Sequence, residues 1–86
     1  MWAIQLFDGK PGVVYLREAL RDGRILVFDQ EEAALRFMIA VKEKMEAALN
    51  IRLRTVRYDA DPRKDRPYKA SAKALPELAR LLTGGH

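Results

Sequence analysis

Cysteine is absent from the 86 residues, which removes disulfides, thiolate nucleophiles and cysteine-bound zinc together. Histidine occurs once, as the terminal His86 behind two glycines, too loosely held for a rigid general base or a preorganised metal ligand. No apolar run approaches the roughly 20 residues that a bilayer-spanning helix needs, and the first residues lack the basic-then-apolar order of a signal peptide. A cytoplasmic location, with no membrane partner, is therefore expected. Gly9 and Gly12 flank Lys10-Pro11 but fit neither a phosphate loop nor a dinucleotide fingerprint, so they read as turn residues. Ser71 and Thr83 have no histidine to activate them, and nothing around the lysines would lower a pKa. Asp59 and Asp61 lack the further oxygen ligands that Mg²⁺ or Ca²⁺ sites add, and together with Asp65 they read as a solvated loop. Neither enzyme activity nor a cofactor nor a metal is expected.

What the chain has is the material of one small folded domain over residues 1–86: 49% hydrophobic and 33% charged residues exclude global disorder, while the length allows only a single modest core. The stretch 24–58 organises it as strand, helix, strand. Asp29-Gln30-Glu31-Glu32 has the spacing of a capping box, which predicts a helix starting at Gln30 with Asp29 as its cap. At about 100° per residue, Ala34, Phe37, Met38, Val41, Met45, Ala48 and Leu49 form the stripe expected to face the core, and Asn50 suits the left-handed position that ends the helix. Glu32 with Arg36, and Lys42 with Glu46, are expected i,i+4 ion pairs. Leu35 and Ile39 lie outside the stripe, which makes them candidate contacts to a second chain unless the C-terminal helix covers them.

Before the helix, Trp2 to Phe7 alternates as a strand, Asp8 to Gly12 makes a hairpin loop, and Val13 to Arg17 returns. Asp22-Gly23 is placed as a reversal into a third, inner strand from Arg24 to Phe28. After the helix, Ile51 to Tyr58 keeps one apolar face only if a β-bulge falls near Arg54 or Thr55. That bulge would set Arg52, Arg54 and Arg57 together on the polar side. Residues 59–70, with two prolines and seven charges, read as a mobile charged loop. Pro76 is expected to open a short helix carrying Leu75, Leu78 and Leu82, Gly84-Gly85 closes it, and residues 84–86 form a frayed tail. The expected fold is thus α+β, β-β-β-α-β-α, with a four-stranded sheet under one long helix. If the fourth strand runs parallel to its neighbour, its crossover is expected to be right-handed.

The order of three strands, a helix and a strand, with the Asp29-Gln30-Glu31-Glu32-Ala33 start, loosely resembles the N-terminal domain of HicB-type antitoxins. That family's Pro-Asp-x-Pro-Gly motif and DNA-binding tail are lacking here. Lys69-Ala70-Ser71-Ala72-Lys73 resembles the last helix of double-stranded-RNA-binding domains, without their helix before the first strand. Neither resemblance assigns a family.

Charge is unevenly distributed. Residues 1–50 carry seven basic and eight acidic groups, whereas residues 51–86 carry nine basic and four acidic. The functional expectation is a small non-enzymatic interaction module, homodimeric through Leu35 and Ile39. The alternative is RNA or DNA binding by Arg52, Arg54, Arg57, Arg63, Lys64, Arg66 and Lys69, with Lys73 close by and Tyr58 and Tyr68 available for stacking.

Overall fold

The computed structural model describes residues 1–18, 23–59, 63, 66–71 and 73–84. Its centre is β1 (Trp2–Phe7), the strand with most neighbours. Along one edge β1 pairs antiparallel with β4 (Arg52–Arg57), from Trp2 opposite Arg57 to Phe7 opposite Arg52. Its other edge is shared: β2 (Val14–Tyr15) faces Gln5 and Leu6, and β3 (Leu26–Phe28) faces Trp2 and Ala3, both antiparallel. Beyond β3 lies β5 (Tyr68–Lys69), running parallel to it. The fold is α+β, with a mixed sheet of five strands, a long helix α1 (Glu31–Leu49) and a short C-terminal α2 (Leu75–Leu82). The neighbour of β4 is antiparallel, so the crossover expectation finds no parallel partner to act on.

Alternation along the strands gives the sheet two unlike faces. Ile4, Leu16, Leu26, Phe28 and Leu53 point to the side where Ala34, Phe37, Met38, Val41 and Met45 of α1 and Leu78 of α2 close the main core. On the opposite face Ala3, Val27 and Tyr58 form a second, smaller cluster with Tyr15 and Ile25, and the Tyr15 and Tyr58 rings meet edge to face at 5.0 Å. All three residues of β3 are buried, as suits its inner position. The stripe predicted on α1 holds from Ala34 to Met45, about three turns, and then ends. Ala48 and Leu49 are exposed, and Asn50 terminates the helix with φ 54° and ψ 46°.

The helix start differs from the capping-box expectation. Gln30 is the N-cap, with no side-chain cap bond, and the Asp29 carboxylate instead meets Lys69 Nζ at 3.0 Å. A cation brought in from β5 outcompetes the local N–H groups. Both partners are well exposed, so Asp29→Ala is expected to lower stability by no more than about 1 kcal/mol and progressively less as salt rises, measured by urea unfolding. Glu32 does pair with Arg36, at 2.6 Å, but Glu46 turns away from Lys42 to bond the backbone of β4.

Two turns connect the first three strands. Lys10 N–H donates to Asp8 Oδ1 and both Gly9 and Gly12 have positive φ, which closes the first loop as expected. In the second, Arg17 bridges Ile25 and Glu18 N–H donates to Arg24 C=O. Residues 19–22, including Asp22 of the expected reversal, lie outside the described residues. Glu18 is 3% exposed, and its Oε1 accepts from the N–H groups of Gly23 (2.9 Å) and Arg24 (3.3 Å). Glu18→Ala would strand those donors, at an expected loss of about 1–3 kcal/mol, whereas Glu18→Gln keeps an acceptor oxygen and should lose less. Equal midpoints for the two variants in thermal unfolding would contradict that role.

The expected mobile loop 59–70 is corrected at its end. Tyr68 and Lys69 form β5, fixed by Tyr68 N–H to Ile25 C=O (2.8 Å) and Ala70 N–H to Val27 C=O (3.0 Å), so the sheet has five strands rather than four. A link from β4 on one edge to β5 on the other makes this pairing long-range. Helix α2 begins at Leu75, one residue before Pro76, and ends where Thr83 Oγ1 donates to Ala79 C=O and Gly84 turns to φ +67°. Gly85 and His86 of the expected frayed tail lie outside the described residues.

Candidate functional site

Strand β4 carries most of the residues in question, and its register with β1 decides where they point. Pairing is regular over six residues with no inserted residue, which overturns the expected bulge near Arg54 and Thr55. Arg52 and Arg54 therefore lie with Val56 and Tyr58 on the face away from α1, opposite Phe7, Gln5 and Ala3. Arg57 lies on the helix face, its guanidinium 5.6 Å from the centre of the Trp2 ring. The expected three-arginine stripe is split in two. Tyr58 needs no bulge to escape water, because the second apolar cluster receives it on the far face, where Val56 is half-buried.

The remaining candidates scatter. Lys69 shares the far face through its pairing with Val27 but sits on the opposite edge, engaged with Asp29. Arg63 and Arg66 are exposed in the link between β4 and β5, Lys73 is exposed just before α2, and Lys64 lies outside the described residues. Tyr68 packs on the main core and Tyr58 is 7% exposed, so neither offers a free ring. Among the described residues, no three His, Cys, Asp or Glu side chains come close enough to hold a metal ion.

The outer edge of β4 follows from the hydrogen-bond parity of an antiparallel ladder, in which alternate residues direct both backbone groups to the same side. Tyr58 N–H donates to Met1 C=O at 2.9 Å, so Val56, Arg54 and Arg52 also bond toward β1. On β1 the alternate residue Ile4 serves the other neighbour, accepting from Leu16 N–H at 2.7 Å. Leu53, Thr55 and Arg57 consequently direct their N–H and C=O groups outward. The Leu53 N–H is met by Glu46 Oε2 at 3.0 Å. Among the described residues, nothing pairs with the outward groups of Thr55 and Arg57.

That Glu46 bond also locates one flank of α1 over this edge. Ile39 lies seven residues before Glu46, two turns back on the same flank and about 10 Å along the axis, which along β4 corresponds to about three residues from Leu53. Ile39 therefore lies on the flank of α1 that borders this edge, and it is 69% exposed. Leu35, one turn further, is half-buried and packs against the main core. The two candidate contacts thus differ: Leu35 serves the fold, and Ile39 is free. Ile39 was legible as lying outside the stripe, whereas the outward edge was invisible in the sequence, because it depends on which strand pairs with β4 and on which side.

Comparison with known proteins adds no assignment: the chain matches no protein-family model, no curated protein and no solved structure. Among the described residues, no helix is long and apolar enough to cross a membrane.

Proposed function

We propose that the chain is a non-enzymatic interaction module that pairs with a second copy of itself along β4. The observation that carries this reading is the six-residue edge strand with unmet backbone groups at Thr55 and Arg57. An open edge of this length is a template for strand addition, and proteins that stay monomeric blunt such edges with charged side chains, bulges, prolines or covering loops; of these β4 has only its three arginines among the described residues. Here the register is regular and Arg52–Arg57 contains no proline.

A twofold, antiparallel pairing matches outward residues to outward residues whenever its axis passes through a residue of β4, and centring on Leu53 or Arg54 would use the Leu53 N–H held by Glu46. Centring on Thr55 would require the Leu53 N–H that Glu46 already holds, and centring on Arg57 would set like charges opposite one another. Centring on Val56 avoids both. Thr55 of each copy then exchanges hydrogen bonds with Arg57 of the other, the Val56 side chains meet at the axis on the far face, and the two Ile39 side chains approach it on the helix face.

Ile39→Lys is expected to produce a folded monomer, because the residue is exposed in the single chain but would sit near a twofold axis in the pair. Sedimentation equilibrium should give twice the chain mass of 9.8 kDa for the wild type and the single mass for the variant. A wild type that remains at the single mass up to millimolar concentration would remove the homodimer reading.

A further inference from the structure

The face of the sheet away from α1 has a composition unlike the rest of the molecule. Its strand positions are Ala3, Gln5 and Phe7 on β1, Tyr15 and Arg17 along β2, Ile25 and Val27 along β3, Arg52, Arg54 and Val56 on β4, and Lys69 on β5. These comprise four cations and no acid, with Lys69 already paired to Asp29 at the opposite edge, although the whole chain has twelve Asp and Glu. The same face presents aromatic surface. Phe7 is 53% exposed, directly across from Arg52, and Tyr15 is half-buried in the row that continues through Gln5 to Arg54.

We propose that this face binds single-stranded nucleic acid, with Arg52 and Arg54 on successive phosphates and a base stacked on Phe7. Three features favour this ligand. Arg52 and Arg54 are two apart on one strand face, about 7 Å, a separation similar to that of neighbouring phosphates on an extended single strand. Arg54 is held in place, since its Nε donates to Gln5 Oε1 at 2.7 Å, so less side-chain freedom is lost when its terminal nitrogens meet a phosphate. A flat sheet bearing an exposed ring beside arginines suits unpaired bases, which stack, and offers no helix or ribbon for a duplex groove. A folded acidic protein would match the charge, and competition by an acidic polypeptide tests that occupant. The residues involved are side chains on the far face of β4 rather than its backbone edge, so this site does not depend on whether two copies pair.

The test is fluorescence anisotropy of the full chain with labelled 15-nucleotide oligo-dT, oligo-rU and a 15-base-pair duplex, across a salt series from about 20 to 200 mM. Both single strands should bind more tightly than the duplex, with log affinity falling against log salt at a slope of about −1.4 to −2.1, as two or three phosphate contacts require. A tighter oligo-rU than oligo-dT would assign the ligand as RNA, and the reverse as DNA. Replacing Arg52 and Arg54 together by Gln should flatten the slope by about 1.4, and Phe7→Ala should weaken binding about tenfold without changing the slope. Lys44→Gln, which removes a charge from α1 on the other side of the sheet, should change neither affinity nor slope. No binding to either single strand at low salt, binding of the duplex at least as tight, or equal competition by polyglutamate would overturn the proposal. An affinity unaffected by Phe7→Ala would reduce it to diffuse charge attraction and would overturn it equally.

Discussion

Proline at Thr55 is expected to leave the domain folded and monomeric, whereas proline one residue later, at Val56, is expected to unfold it. The two residues are neighbours on β4 but send their backbone N–H groups in opposite directions. Tyr58 N–H bonds to Met1 C=O, and by alternation Val56 N–H bonds to Ala3 C=O inside the sheet. Val56→Pro removes that ladder bond and forces the ring between two paired strands, at a loss of about 3 kcal/mol or more, a large part of the stability of a domain this size. The N–H of Thr55 points away from β1, so its loss costs the single chain only the strain of a fixed φ, about 1 kcal/mol. In the pair, however, Thr55 supplies one of the donors at each end of the junction, and both are lost together in a symmetric assembly. Circular dichroism with sedimentation separates the outcomes: a folded single-mass species for Thr55→Pro, and an unfolded or aggregating chain for Val56→Pro. If both variants unfold, the parity assigned to β4 is wrong.

Leu78→Ala is expected to be the most destabilising simple truncation in α2, at about 2–5 kcal/mol. Leu78 has no exposed surface and lies in the same cluster as Ile4, Leu26 and Phe37, where it is the one fully buried side chain by which α2 docks. Truncation leaves a cavity that an eight-residue helix with Pro76 near its start cannot close without shifting as a whole. A fall in Tm of more than about 10 °C follows for a domain of this size. The neighbouring Leu81 is 43% exposed, and Leu81→Ala should change stability by about 0.5 kcal/mol or less. Comparable shifts for the two would show that α2 is not anchored through Leu78.

The long helix was legible because its period extends over several turns: five of the seven stripe residues are buried, and Asn50 ends it where the sequence indicated. Its start was not, because Asp29 had a choice between local N–H groups and Lys69, forty residues later, and only the fold brings Lys69 near. The register of β4 was misread for a related reason. Placing Val56 and Tyr58 on the α1 side assumed a single core, whereas the sheet buries apolar side chains on both faces and Tyr58 belongs to the second. Strand β5 is two residues long, too short for any alternation to declare itself. Of the basic candidates, Arg52 and Arg54 stay together on one face. Their neighbours Phe7, Tyr15 and Arg17 come from a hairpin more than thirty residues away and carry no local mark of that association.

Self-association along β4 makes a residue-specific demand on amide exchange. Thr55 and Arg57 have outward N–H groups with no partner in the single chain among the described residues, while Val56 is bonded to β1 at any concentration and Leu53 is bonded to Glu46. Hydrogen–deuterium exchange resolved by NMR, at micromolar and at millimolar chain concentration, should therefore show Val56 protected at both. Thr55 and Arg57 should exchange rapidly at the lower concentration and become protected at the higher. Rapid exchange of Thr55 and Arg57 at every concentration, with Val56 protected throughout, would contradict pairing through this edge.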